Sequence, residues 1–204
     1  MILIGYGGHG YVAYCIAKAM GKEFTGYCDI DQKEYNPFNL EYFGSEQKNG
    51  AIEFLKKRPF FIAIGYNEIR RAVFQTLAEK NIFPINLIHP SAVICPSAAI
   101  GHYGIMIASN VCINPLSKIG KGAICNTGCI IEHECQIGDF AHIGPGAVLC
   151  GNVHIGENSF VGAKSVIREE IKIGKNVIIG AGSVVVKDIP DNSKVAGNPA
   201  RPLS

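Results

Sequence analysis

The strongest constraint on the fold is a six-residue repeat in the second half of the chain. Every sixth position from Ile119 to Val185 holds an aliphatic residue or a cysteine. A period of six fits neither an α-helix, at 3.6 residues per turn, nor a strand, at two. It fits a triangular solenoid with one hexapeptide per side. The sequence therefore predicts a left-handed parallel β-helix, in which three hexapeptides make one coil and stacked coils bury a continuous core.

Two further positions of the repeat are restricted. The residue after the aliphatic one is often glycine, and the residue four positions after it is small or β-branched. We expect the small residue to point inward. We expect the glycine to lie at the corner, because glycine adopts a positive φ at little energetic cost. The frame continues back to Ile82, with a slip near His102 and Tyr103 where we predict a one-residue bulge. Residues 82–187 then form about six coils, and the proline-containing residues 188–204 cap the open end.

Residues 1–81 show a different pattern, that of a small Rossmann-like α/β domain. An apolar strand over residues 1–4 leads into Gly5-Tyr6-Gly7-Gly8-His9-Gly10, which matches G-x-G-x-x-G and precedes a helical stretch. Further strands are expected over residues 24–28, ending at Asp29, and 60–64, ending at Gly65. Such a glycine turn presents backbone N–H groups to phosphate, and the acid after the next strand faces a ribose.

The length of this domain limits its ligand. An NAD-binding domain needs two mononucleotide halves and roughly twice this length. We therefore favour a nucleotide-linked sugar over NAD, with a purely structural domain as the third interpretation. Asp29 is expected to contact the base or ribose, or else to be a strand-end turn residue. A helix over residues 67–80, with the apolar face Ile69, Val73, Phe74 and Leu77, completes the domain.

Composition narrows the class of protein. Nineteen basic and seventeen acidic side chains give a formal charge of +2, which argues against a nucleic-acid-binding protein. No apolar run reaches the roughly 18 residues of a membrane-spanning helix, and the N-terminus lacks signal-peptide features, so we expect a cytoplasmic protein. The eight cysteines form no C-x-x-C pair. We predict no metal site and interpret the cysteines as small apolar residues.

One hexapeptide carries polar residues that the repeat does not require, namely Ile131-Glu132-His133-Glu134-Cys135-Gln136. Glu132 stands where other repeats have glycine, and His133 lies between two acids. Imidazole titrates near neutrality and can remove a proton from an amine or hydroxyl nucleophile. We predict that His133 is a general base oriented by Glu134, against the alternative of an ordinary surface histidine. A cysteine nucleophile is disfavoured because Cys129 and Cys135 should point inward, where burial raises the pKa of a thiol.

The other histidines are less distinctive. His142 lies half a coil after His133, on another side of the triangle, and meets it only if subunits pack side by side. His9 is placed to contact phosphate. We interpret His154 as a surface residue and His89 and His102 as structural.

Together these features resemble the sialic-acid O-acetyltransferase-type family of hexapeptide-repeat enzymes. Within it they are most similar to bacterial UDP-4-amino-sugar N-acetyltransferases of the UDP-N,N′-diacetylbacillosamine pathway. The resemblance covers essentially the full chain, and it rests on residues 5–10, 61–70, 86–90, 126–142 and 195–201. Tyr66 stands where the family has a smaller polar residue, and residues 31–58 show no clear match.

The resemblance implies direct acetyl transfer from acetyl-CoA to the C4 amine of a UDP-4-amino-4,6-dideoxy sugar. It implies a homotrimer with acetyl-CoA between neighbouring coils, His133 as the base beside Glu134, and Asn126 near the reacting amine. The residues implied for the nucleotide sugar are Gly8, His9, Asp29, Gly65 and Asn67. Those implied for acetyl-CoA are His142, Gly151, Ala163 and Gly180, with the Gly151 amide donating to the thioester carbonyl. Sugar O-acetyl transfer and a non-enzymatic β-helix scaffold are the alternatives.

Overall fold

Short buried strands alternating with helices build the first part of the chain, as the computed structural model shows for residues 1–46 and 49–203. The strands are β1 (Ile2–Ile4), β2 (Gly26–Cys28), β3 (Glu41–Tyr42) and β4 (Phe60–Ile62), and the helices are α1 (Gly8–Ala19), α2 (Asn49–Leu55) and α3 (Asn67–Ala78). All four strands are parallel in the order β3-β2-β1-β4. The chain leaves β1 toward β2 and later returns to its other side as β4. The carboxyl ends of β1 and β4 therefore form a switch point, the usual ligand crevice of such sheets.

The remainder of the chain is a left-handed parallel β-helix, which confirms the repeat prediction. Its first face contains β5 (Leu87–Ile88), β8 (Met106–Ile107), β11 (Ile124–Cys125), β14 (His142–Ile143), β17 (Phe160–Val161), β20 (Ile178–Ile179) and β22 (Lys194–Ala196). The second face contains β6 (Val93–Ile94), β9 (Cys112–Ile113), β12 (Ile130–Ile131), β15 (Val148–Leu149), β18 (Val166–Ile167) and β21 (Val184–Val185). The third face contains β7 (Ala99–Ile100), β10 (Lys118–Ile119), β13 (Gln136–Ile137), β16 (His154–Ile155) and β19 (Lys172–Ile173).

The predicted bulge is also present. Nineteen residues separate Ile100 from its cross-coil partner Ile119, whereas eighteen separate Ile119 from Ile137. The extra residue falls in the turn after β7, where Gly104 has a φ of +70°. The first strand of the coils is Leu87–Ile88. Although Ile82 keeps the six-residue frame, it is buried with Ile2 and Phe60 in the core of the α/β domain.

The structural reason for the repeat glycines differs from the one predicted. The glycines after the aliphatic residue do not have positive φ. At Gly138, for example, an added Cβ would lie 2.6 Å from the Glu157 nitrogen of the next coil. The left-handed residues lie two positions later and include Gly122, Phe140 and Asn158. Close stacking of coils, and not backbone conformation, therefore excludes side chains at the glycine position.

The three faces have different surroundings. On the first face, the outward side chains of Leu87, Met106 and Ile124 are buried against the α/β domain. On the third face the outward residues are mostly polar. On the second face all outward residues are apolar and keep some exposure, namely Val93, Cys112, Ile130, Val148, Val166 and Val184.

A short antiparallel strand pair lies at the last coil of the β-helix. Strand β23 (Arg201–Pro202) pairs antiparallel with β22, which turns the end of the chain back onto the final coil. Of the segment 188–204 that was expected to cap the solenoid, Ser204 lies outside the described residues.

Candidate active site

Two helices begin at the switch point of the α/β sheet. Helix α1 follows β1 through the glycine turn, and α3 follows β4 after Gly65. Their N-cap residues, Gly7 and Tyr66, make no side-chain capping hydrogen bond. Free N–H groups and the positive ends of both helix dipoles therefore face the same region, which favours an anionic ligand there.

A cleft of about 1000 Å³ lies between these helix starts and the first face of the β-helix. Five of the six residues predicted for the sugar substrate line it, and His142 lines it from the coils; these residues are Gly8, His9, Asp29, Gly65, Asn67 and His142. The sixth, Asn126, which was predicted to lie near the reacting amine, is not among the described residues that line the cleft. The floor continues with Phe160 and Ile178, which follow His142 at one-coil intervals. These two were missed from the sequence, although the spacing of eighteen residues places them on the same face as His142.

The glycine turn is sterically constrained. Gly5 has a φ of +90°, and a Cβ on Gly10 would lie 2.7 Å from the Gly5 carbonyl oxygen. The Asp29 carboxylate accepts a hydrogen bond from the Tyr6 N–H at 2.9 Å and pairs with Lys33 at 3.0 Å. Asp29 therefore holds the turn in place from the end of the neighbouring strand, in addition to lining the cleft.

His142 is held by hydrogen bonds at both ring nitrogens. The Asn126 side-chain nitrogen lies 3.1 Å from Nε2, and the Gly65 carbonyl oxygen lies 3.4 Å from Nδ1. Asn126 Oδ1 accepts from the Thr127 N–H, which fixes the amide so that its NH₂ group faces the ring. A donor at Nε2 and an acceptor at Nδ1 select the neutral tautomer protonated on Nδ1. In a single chain, Asn126 thus contacts His142.

Burial keeps both cleft histidines neutral. Burial, as the largest cause, and the nearby Arg70 cation together lower the pKa of His9 to about 4 and that of His142 to about 3. The two rings lie 5.9 Å apart between centroids, so protonation of one would disfavour protonation of the other. Neither imidazole is a cation at neutral pH, and both act as hydrogen-bonding groups.

We expect the free energy of unfolding to fall as the pH drops from about 6.5 toward 4. Below 6.5 the unfolded chain takes up protons that the buried rings refuse until pH is near their depressed pKa values. The stability they contribute is therefore complete above the unfolded pKa and is lost on acidification. Urea denaturation at several pH values and one protein concentration measures this slope.

His142→Asn should flatten that slope, whereas His154→Asn, a matched change on the third face, should preserve it. An identical slope in both variants and the parent would show that His142 does not contribute to the pH dependence.

His133 and Glu134 lie on a different part of the β-helix, the corner between the second and third faces. The Glu134 carboxylate is 3.1 Å from His133 Nδ1, and both side chains are more than half exposed. Gly151 lies one coil further on, and a Cβ there would collide with the His133 ring, 2.5 Å from Nε2. The Gly151 carbonyl accepts from Glu170, while its N–H donates to none of the residues that the structure describes. One corner thus offers an imidazole, an acid and an open amide.

Within one chain the predicted residues fall into separate groups. His133 is not among the described residues that line the cleft. Ala163 and Gly180 follow first-face strands, at the corner between the first and second faces, as does Asn126. The residues predicted for acetyl-CoA therefore occupy two corners and the first face. The apolar second face lies between those two corners.

The non-glycine residue at position 132 is less unusual than the sequence suggested. Every residue after a second-face strand from β9 onward has a side chain, namely Asn114, Glu132, Cys150, Arg168 and Val186. The small residues Cys129 and Cys135 are buried as predicted, and burial raises the pKa of Cys135 to about 11. Neither is therefore a reactive thiolate.

Helix α3 differs from its predicted face. Ile69 was expected in the apolar face but is half exposed at the cleft, and Arg70 is buried in its place. Asn67 lines the cleft, but its side-chain amide is fully engaged with Asn158, Ser159 and Arg70. Position 70 shares a helix face with Phe74 and Leu77, which was the sequence signal for its burial. Tyr66 is 78% exposed at the cleft.

Two family models match the chain. The PglD N-terminal domain matches residues 1–77, and the bacterial transferase hexapeptide (six repeats) matches residues 152–187. GDP-perosamine N-acetyltransferase of Escherichia coli O157:H7 is 35% identical over 89 residues. That alignment spans 44% of this chain and 40% of the relative, less than half the length of either.

Solved structures match over the whole chain. A mutant of perosamine N-acetyltransferase from Caulobacter crescentus, in complex with CoA and GDP-perosamine, has a TM-score of 0.92 and 33% identity, and the match covers 100% of this chain and 96% of that one. The acetyltransferase domain of PglB from Neisseria gonorrhoeae, in complex with acetyl coenzyme A, has a TM-score of 0.86 and 35% identity, with 99% and 98% covered.

The part of the chain that the structure describes contains neither a metal-binding cluster nor a membrane-spanning helix. Over residues 1–46 and 49–203, no group of three or more His, Cys, Asp or Glu side chains is arranged to hold a metal ion. No helix in the same ranges has the length and apolar character needed to cross a membrane.

Proposed function

Because the chain belongs to the hexapeptide-repeat sugar N-acetyltransferases with a PglD-type N-terminal domain, we propose that it transfers an acetyl group from acetyl-CoA to the C4 amine of a nucleotide-linked 4-amino-4,6-dideoxy sugar. The observation that carries this proposal is the corner where His133, Glu134 and the Gly151 N–H meet. A base and an amide donor on one surface are what an amine attack on a thioester requires.

The reaction proceeds by direct transfer in a ternary complex. His133 Nε2 accepts a proton from the C4 amine as the nitrogen attacks the thioester carbonyl. Glu134, hydrogen bonded at Nδ1, stabilises the imidazolium that forms. The Gly151 N–H donates to the oxygen that becomes negatively charged. The N–C bond forms, the C–S bond breaks, and the proton passes to the departing thiolate.

The α/β cleft supports binding of the nucleotide diphosphate. The starts of α1 and α3 supply N–H groups to a diphosphate near Gly8, His9 and Gly65. The resemblance of the sequence motifs favours UDP as the nucleotide, whereas the Escherichia coli relative is named for GDP-perosamine and the Caulobacter crescentus enzyme is in complex with it. Tyr66, which is exposed at the cleft, stands where a smaller polar residue was expected, and we assign it a contact with the sugar.

A homotrimer is part of this proposal. The apolar outward residues of the second face form a stripe along the β-helix, and Val93 is 67% exposed there. Such a stripe indicates a surface that is covered in the assembled protein, and we assign it to neighbouring copies of this chain. Packing along the second face brings the His133 corner of one copy toward the Asn126 corner and first face of another. Acetyl-CoA then lies between coils, in contact with His142, Gly151, Ala163 and Gly180.

We place the reaction in the cytoplasm. All eight cysteines are free, as is usual in a reducing compartment.

Thiol release from acetyl-CoA tests the proposal. Four acceptors should be compared: UDP- and GDP-linked 4-amino-4,6-dideoxy sugars, and their counterparts with a hydroxyl in place of the C4 amine. We expect release with at least one amine and with neither hydroxyl counterpart. Release only with the hydroxyl compounds would indicate O-acetyl transfer. No release with any acceptor, from protein that binds acetyl-CoA, would contradict the proposed function.

A further inference from the structure

Arg70 is 1% exposed, and no carboxylate pairs with it among the residues described. Its guanidinium nevertheless has all five N–H groups in hydrogen bonds of 2.8 to 3.2 Å. The acceptors are the carbonyl oxygens of Ile64, Gly65, Gly122 and Phe140 and the side-chain oxygen of Asn67. A planar group with five donors in fixed directions meets five acceptors, which a lysine cannot do.

Arg70 and Asn67 join the start of α3 to three successive coils. Arg70 donates to Gly122 on one coil and to Phe140 on the next. The Asn67 amide donates to Asn158 and Ser159 on the third, at 3.0 and 3.1 Å. Gly122, Phe140 and Asn158 are equivalent corner positions, each eighteen residues apart. The contact therefore fixes both the height and the angle of α3 against the β-helix.

The same contact reaches the cleft. The Gly65 carbonyl accepts from Arg70 and also lies 3.4 Å from Nδ1 of His142. Gly65 belongs to the α/β wall of the cleft, and His142 belongs to its floor on the coils. One buried side chain thus connects the two parts of the site that must stay in register for a bound nucleotide sugar.

We propose that Arg70 is a positioning residue for acetyl transfer, which holds the Gly65 turn and the start of α3 in register with the coils and so sets where the sugar lies relative to His142. This inference rests on the proposed function. Asn67 shares the role, because its amide is consumed by the docking contact and is not free for a ligand.

The charge of Arg70 has a second effect on the cleft. Burial lowers the pKa of Arg70 to about 9, so the group remains a cation at neutral pH. The Arg70 cation lowers the pKa values of His9 and His142, although burial of the two rings is the larger cause. The other charged groups that line the cleft are Asp29, Lys33, Glu46 and Glu68. Removing the Arg70 cation should raise both histidine pKa values.

Arg70→Lys tests the geometry, with Arg71→Lys as the matched control. Arg71 is the next residue of α3 and makes a surface ion pair with Glu157 at 3.1 Å. Both variants keep the charge. We expect Arg70→Lys to lower kcat/KM for the nucleotide sugar by about 100-fold, the effect of misplacement by about 1 Å. Arg71→Lys should change it by less than about twofold. The Kd of CoA, measured by calorimetry, should be unchanged in both.

A second variant, Asn67→Asp, keeps the proposal testable if Arg70→Lys does not fold. Asn67→Asp keeps the acceptor for Arg70 but loses both donors to the third coil, and we expect the same selective loss. In Arg70→Met, histidine nitrogen-15 shifts followed with pH should show raised pKa values for His9 and His142.

The outcomes separate this inference from the proposed function. If the unsubstituted protein acetylates no nucleotide sugar, the proposed function fails. If it is active and Arg70→Lys matches Arg71→Lys, the positioning role is wrong. The positioning role would also be wrong if Arg70→Lys and Asn67→Asp lost both CoA binding and activity, because that result would indicate general damage to the fold.

Discussion

Replacing His133 with alanine is expected to lower kcat for acetyl transfer by about 10²- to 10⁴-fold, the range that a general base contributes. The KM values for both substrates should change little, because proton removal acts in the transition state. The fold should be unaffected, since the imidazole is more than half exposed and its hydrogen bond is to the neighbouring Glu134. Steady-state thiol release and thermal unfolding of the variant measure both expectations.

His154→Ala is the control for this substitution. His154 also projects from the β-helix, on the third face, and its ring contacts Asn152 at 3.3 Å. It has no place in the proposed chemistry, and its removal should leave kcat unchanged. Unchanged turnover in His133→Ala, or an equal loss in both variants, would remove His133 from the mechanism.

Gly151→Ala is expected to lower kcat by about 100-fold with little loss of stability. The new methyl group would occupy the space of the His133 ring. Because the His133 side chain is exposed, it can rotate away at small cost, and the coils need not shift. That rotation takes the base away from the amine. Activity would therefore fall while thermal unfolding stays near that of the parent protein.

A double-mutant cycle measures whether Gly151 and His133 act together. In a His133→Ala background, Gly151→Ala should cost little more, because the ring it displaces is already absent. Gly50→Ala is the matched control, since it lies in α2 and a Cβ there meets no atom of the described residues within 4 Å. Losses that simply multiply in the double variant would show that Gly151 acts independently of His133.

The β-helix could be predicted from sequence because its constraint is local and repeated. Each coil requires an aliphatic residue and a small residue at the same inward positions. The pattern therefore recurs in every hexapeptide from Ile119 to Val185. The slip near His102 was visible for the same reason. The start of the coils was less secure, since Ile82 fits the frame by spacing yet packs in the α/β core.

The role of the repeat glycines could not be predicted from the sequence and became clear only from the structure. From sequence, glycine at a corner suggests a left-handed backbone. The left-handed positions are instead occupied by residues such as Glu134, Asn152 and Lys164, and the glycines allow adjacent coils to stack. The distinction depends on contacts between residues about eighteen positions apart, which local pattern does not contain.

The sequence predicted a set of site residues, but it did not predict how those residues are arranged relative to one another. The glycine turn, Asp29, Gly65 and His142 do line one cleft. Where His133 lies relative to that cleft depends on how the chain wraps around its faces and on the packing of copies. The burial of Arg70 was missed because an arginine on a helix normally faces solvent.

A structure of the ternary complex with CoA and a nucleotide-linked 4-amino sugar would show whether His133 and the cleft act on the same substrate. We predict the diphosphate at the starts of α1 and α3, near Gly8 and His9. We predict the C4 nitrogen within about 3 Å of Nε2 of His133 from a neighbouring copy, with the CoA sulfur close to the Gly151 N–H. A nucleotide sugar bound in the cleft with its amine remote from every His133, or CoA bound away from Gly151, would contradict the proposed acetyl transfer.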